Sequence, residues 1–133
     1  MLKNTAFILI VLLVIFSGCT NKPFTMRDNG HTVELELDTP IEIELEGNSS
    51  TGYTWKVVDI DTNVIQQIGK PGFVPSGDLI GSGGTYTYRF QTVANGESEL
   101  VLAYSRSFES GEPPAKTFRM KIICGTMGRI LGE

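Results

Sequence analysis

The chain has 133 residues, a formal net charge of −4 and two cysteines. That length suits one domain. The acidic balance argues against nucleic acid, whose binding rests on Lys and Arg contacts to phosphate. Two cysteines, one of them in a leader-like segment, leave no intramolecular disulfide framework, so the fold must stand on an apolar core.

Met1 to Thr5 carries one positive charge, Lys3, and runs into the apolar stretch AFILIVLLVIF, Ala6 to Phe16. As a helix, that stretch spans about 16 Å, too short for a hydrocarbon core of ~30 Å. It closes on the small residues of FSGC, Phe16 to Cys19, so residues 1–18 are expected to be a secretory signal peptide. Ser17-Gly18-Cys19 resembles a bacterial-type lipobox, although Phe16 stands where an aliphatic residue is usual. The resemblance implies that Cys19 carries lipid and becomes the first mature residue, anchored at the periplasmic or extracellular face of an envelope. The alternatives are an ordinary signal peptide or an uncleaved anchor, with Cys19 incidental. Residues 19–30, ending in TNKPFTMRDNG, read as the lipidated terminus and a flexible tether, with the domain occupying 31–133.

From residue 31 the pattern alternates. TVELELD sets Val33, Leu35 and Leu37 against Glu34, Glu36 and Asp38, and IEIELEG sets Ile41, Ile43 and Leu45 against Glu42, Glu44 and Glu46. Period two marks a strand with one buried and one wet face. Pro40 falls at a break or at the first residue of the second strand. The carboxylates point outward along extended runs rather than converging on a loop, which describes a solvated sheet face and no metal site. Further strands are expected at Tyr53-Trp55-Val57, Tyr86-Tyr88-Phe90, Leu100-Leu102-Tyr104 and Phe118-Met120-Ile122, with a weaker run at 63–69. VANGES is a turn signal between two of the stronger strands. About seven strands without an amphipathic helix predict an all-β fold, an antiparallel β-sandwich with immunoglobulin-like topology. Trp55 and the strand aromatics are expected in its core.

Catalytic constellations do not emerge. His31 is the single histidine, and no G-x-S-x-G or comparable signature accompanies it. Cys124 ends an apolar strand, as an inert buried thiol would. Gly81 to Gly84, GSGG, lacks the Lys-Ser/Thr and helix of a phosphate loop. The sequence therefore predicts neither an enzyme nor a cofactor. Its unusual segments are loops, which a rigid sandwich can present for recognition. They are Asn48 to Gly52 (NSSTG), Lys70 to Gly84 (KPGFVPSGDLIGSGG) and Ser105 to Lys116 (SRSFESGEPPAK). Arg and aromatic residues on such tips are types enriched in interface hot spots.

At these loops the chain resembles the chagasin family, immunoglobulin-like inhibitors of papain-like cysteine proteases. That family carries an N-P-T-T-G loop before an aromatic, a G-x-G-G loop and an R-P-W-like loop before the last strand. Here the positions read NSSTGY, GSGGTYTYRF and SRSF, in the same order, and the resemblance spans residues 31–124. It implies a reversible, non-covalent inhibitor whose three loops plug the protease cleft. Asn48, Ser50, Thr51 and Gly52 would lie over the catalytic Cys-His pair. Gly81, Gly83 and Gly84 would approach one cleft wall, and Arg106 and Phe108 the other. Ser49 replaces the family's proline and Ser107-Phe108 its Pro-Trp, which is expected to alter preorganisation and aromatic contact. A monomer is expected. The alternative is an immunoglobulin-like envelope lipoprotein that binds another protein without inhibiting a protease.

Overall fold

A computed structural model describes residues 22–78, 81–106 and 111–125. The elements are β1 (Thr32–Leu35), β2 (Pro40–Gly47), β3 (Tyr53–Asp59), β4 (Ile65–Gln67), β5 (Gly72–Pro75), β6 (Gly84–Thr92), β7 (Gly96–Arg106) and β8 (Lys116–Cys124). Single 3₁₀ turns lie at Met26–Asp28 and Ser49–Thr51. One sheet has the order β1-β8-β7-β3; the other has β2-β6-β4, with β5 also paired to β6. The expected signal peptide, residues 1–18, and Cys19 lie outside the described residues.

The alternating runs form the facing layers of a β-sandwich. Ile41, Ile43 and Leu45 of β2 join Tyr86, Tyr88 and Phe90 of β6, opposite Leu100, Leu102 and Tyr104 of β7 and Phe118, Met120 and Ile122 of β8. Trp55 lies within this cluster, and Cys124, a free thiol at the end of β8, is buried at its edge. Burying such side chains contributes about 1.5–3 kcal/mol each. Outward-facing charges pair loosely across the strands, as Arg89 does with Glu42 at 3.7 Å. β7 departs from simple alternation: Val101 and Ala103 are buried on its second face as well.

Several expectations need correction. The sheets are not wholly antiparallel, because β1 pairs with β8 in parallel. Lys70 to Gly84 is not all loop, since it contains β5, and Gly84 opens β6. β4 aligns with Phe90–Thr92 and β5 with Gly84–Thr87, so the two follow one another along a single edge of β6. They make one interrupted edge strand, consistent with about seven strand positions. Leu37 lies outside β1 and is 48 % exposed, because the chain turns at Asp38, whose φ is 60°. The buried Thr92 hydroxyl fixes that turn, accepting from the Thr39 N–H and donating to the Glu36 carbonyl, both at 2.8 Å.

The tether reading also fails from Phe24 onward. Phe24 forms a parallel bridge with Ile43, donating its N–H to the Glu42 carbonyl and accepting from the Glu44 N–H, each at 2.8 Å. Its half-buried ring packs on the core. A capping box between Thr25 and Asp28 shapes the following turn. The chain then reaches the other sheet, where Gly30 donates to the Arg119 carbonyl at 2.6 Å and Arg119 donates to Asn29 Oδ1 at 2.8 Å. Residues 24–30 are a strap from β2 to β8.

Candidate protease-binding site

Strand pairing brings the three expected loops to one pole of the sandwich. The last residue of β2, Gly47, is opposite Gly84, which is also opposite Pro75. On the other sheet Tyr53 is opposite Arg106, and Tyr104 opposite Lys116. The connections 48–52, 76–83 and 107–115 therefore emerge side by side. Phe108 falls in the third connection but lies outside the described residues.

The first loop is built around Asn48. Its side-chain oxygen accepts from the Ser50 N–H at 3.1 Å and the Ser50 hydroxyl at 2.6 Å. Its carbonyl accepts from the Thr51 hydroxyl at 2.7 Å. These bonds hold Ser49–Thr51 in a single 3₁₀ turn with Asn48 as its N-cap. Gly52 closes the turn at φ 85°, a left-handed conformation that costs other residues roughly 1–2 kcal/mol. The Ser50 and Thr51 hydroxyls, expected to face a partner, thus shape the loop itself.

Asn48 also reaches outward from the turn. Its side-chain amide donates to the Gly81 carbonyl at 2.8 Å, tying the first loop to the second. Its backbone N–H donates to the Tyr104 hydroxyl at 2.7 Å, tying it to β7. In the second loop Ser76 donates its N–H to the Gly83 carbonyl at 3.0 Å, closing the loop's neck. Gly81 is exposed at the rim and Gly83 half-buried beneath it. Gly84 is not a surface contact. It is buried, and a Cβ there would lie 2.3 Å from the Val74 carbonyl oxygen and 2.6 Å from the Phe73 ring. Its lack of a side chain lets β5 close on β6.

Arg106 begins the third connection half-buried, with its guanidinium 4.7 Å from the centre of the Tyr53 ring. Tyr53 stacks on Tyr104 at 5.3 Å, and Tyr104 meets Trp55 at 5.2 Å. Trp55 donates its indole N–H to the Glu46 carbonyl at 3.0 Å. A column of rings thus stands directly under the loops. The sequence reading placed Tyr53 and Tyr104 in the core and gave them no part in the site. It also passed over Gly47, where a Cβ would lie 2.8 Å from the Tyr86 ring and 2.9 Å from the Tyr104 ring. The available signal was the placement of these residues immediately beside NSSTG and SRSF.

At this pole the first two loops are joined by hydrogen bonds and stand on the packed rings of Tyr53, Tyr104 and Trp55. Residues 34–122 match the family model described as chagasin family peptidase inhibitor. The chain belongs to the chagasin family. It is accordingly an inhibitor of papain-like cysteine proteases, not an enzyme. Amoebiasin-2 of Entamoeba histolytica is 26 % identical over 119 residues, covering 88 % of this chain and 96 % of that protein. The fold is similar to the crystal structure of the cysteine protease inhibitor EhICP2 from the same organism, with a TM-score of 0.69 and 20 % identity over 77 % of this chain and 93 % of that one. It is also similar to PbICP-C, solved in complex with falcipain-2, with a TM-score of 0.54 and 19 % identity over 80 % and 93 % of the two chains.

Proposed function

We propose that this chagasin-family protein inhibits its target by inserting the rim formed by residues 48–52, 81–83 and 106–108 into the active-site cleft. The observation that carries this reading is the bonding of Asn48 to both Gly81 and Tyr104, which presents separate loops as one preformed surface. Preformed loops lose little conformational freedom on binding, so more of the contact energy appears as affinity. Asn48, Ser50, Thr51 and Gly52 form the centre, with Gly81 and Gly83 on one flank and Arg106 and Phe108 on the other. Gly84 supports the second loop from beneath. Nothing in this arrangement requires a bond to be cut, so inhibition is reversible and non-covalent. The target is a papain-like cysteine protease, and PbICP-C in complex with falcipain-2 is the related precedent for such a partner.

The protein acts, on this reading, as a monomer held to an envelope membrane by lipid on Cys19. That part rests on the apolar run Ala6 to Phe16 followed by Ser17-Gly18-Cys19.

The test is a titration of the chain from Thr20 to Glu133, which contains every described strand, against papain and a cathepsin-type protease. Stoichiometric or submicromolar inhibition is expected, weakened by Thr51→Ala while the melting curve stays cooperative. Full protease activity at micromolar protein would refute the reading. Cys19→Ser in the full chain is expected to release the protein from membranes; persistent membrane association would refute lipid anchoring.

A further inference from the structure

We infer that Tyr104 is a positioning residue for inhibition, acting through its hydroxyl on the backbone of Asn48; this rests on the three-loop reading above. Tyr104 is 7 % exposed and its ring is held by Tyr53 and Trp55, with the Lys116 Nζ 5.6 Å from its centre. A phenylalanine would fill that space equally well, so packing does not account for the hydroxyl. The oxygen reaches the N–H of Asn48, one residue beyond the last β2 position paired with β6. At that point the sheet ladder no longer supplies an acceptor. The phenol supplies one in its place and sets the direction in which the loop leaves the strand.

The same strand secures the loop's other flank. Tyr53, the first residue after Gly52, pairs with Arg106 and contacts both its guanidinium and the Tyr104 ring. Both ends of loop 48–52 are therefore held by β7 residues two positions apart, Tyr104 and Arg106. Arg106 also starts the third connection, so a shift of β7 moves the first and third loops together. Tyr104 determines the spacing between the centre of the rim and one flank, without itself reaching the rim.

Three measurements on the chain from Thr20 to Glu133 test this. Tyr104→Phe is expected to weaken inhibition of papain about tenfold, the scale of one buried hydrogen bond with its acceptor removed. The Asn48 amide is expected to exchange with solvent faster in that variant, while amides of Leu100 and Leu102 keep their protection. Adding Ser49→Pro, which restrains the same loop independently, is expected to recover roughly 2- to 5-fold of the lost inhibition. Unchanged inhibition by Tyr104→Phe would overturn the proposal. So would weakening that follows general loss of core protection and is not recovered by Ser49→Pro, since that is a structural effect alone. If the unmutated chain fails to inhibit, the three-loop reading itself falls. If the unmutated chain inhibits and Tyr104→Phe inhibits equally, only the role of Tyr104 falls.

Discussion

The side-chain amide of Asn48 donates to the carbonyl oxygen of Gly81 at 2.8 Å across 33 positions of sequence. This bond joins the first and second loops directly. Asn48→Asp separates it from the rest of the Asn48 network, because a carboxylate still accepts from Ser50 and still caps the turn. It cannot donate to Gly81 and instead sets a negative oxygen against a carbonyl. Inhibition is expected to weaken by roughly 5- to 30-fold, the range for a lost hydrogen bond and an unmatched acceptor. The strands bear little of this change, so the melting temperature should fall by no more than about 8 °C. Enzyme titration and thermal melts on the same preparation check both parts.

Ser49→Pro is expected to tighten inhibition. Ser49 is the first residue of the 3₁₀ turn, a position where proline's fixed φ fits and the N–H is not needed by the turn. Asn48 before it has φ −133° and ψ 101°, extended values compatible with a following proline. Reduced freedom in the unbound loop is worth about 0.4–1 kcal/mol, or roughly 2- to 5-fold in the inhibition constant. Weaker inhibition by this variant would show that the Ser49 side chain or its N–H contributes to binding.

Phe24→Ala tests the strap. Removing a half-buried ring that packs on the core should cost about 1–3 kcal/mol. The strap is bonded to Glu42, Glu44 and Arg119, none of which belongs to the Asn48 network, so the inhibition constant should hold at temperatures where the protein remains folded. Unchanged stability would mean that the Phe24 packing contributes nothing to the fold.

Alkaline stability depends on Tyr88. Burial, with a smaller contribution from Tyr86, raises its pKa from 10.0 to about 12. Its hydroxyl donates to the Trp55 carbonyl across the sandwich. The unfolded chain releases this proton near pH 10 while the folded chain retains it, so the associated stability is full below pH 10 and is lost as pH rises towards 12. The loss is on the order of 2 kcal/mol. Denaturant melts across this interval should show it in the unmutated chain, with a shallower decline in Tyr88→Phe.

The legible parts of the fold were those with one wet and one dry face. Ile41, Ile43 and Leu45 alternate with glutamates, and that contrast defines β2 without tertiary information. β5 was hidden because Pro71, Gly72 and Pro75 carry loop signals in a segment whose pairing comes wholly from β6. The parallel pairing of β1 with β8 was equally hidden, since alternation reports faces but not strand direction. In the site, motif order identified the three loops. It did not reveal that Asn48 joins them, because neither Gly81 nor Tyr104 is its neighbour in sequence. Tyr104 had the pattern of a core residue and is one, but its hydroxyl reaches the loop. Gly84 had the pattern of a flexible rim glycine, whereas the adjacent β5 backbone gives it a packing role.

Residues 48–52 are proposed to occupy the protease cleft over its catalytic thiol. Alkylation of that thiol by iodoacetamide, followed by mass spectrometry during titration with the chain from Thr20 to Glu133, tests this most directly. The protected fraction is expected to follow the bound fraction, and the inhibitor to be recovered uncleaved. Alkylation at the free-enzyme rate while the complex remains formed would contradict this placement.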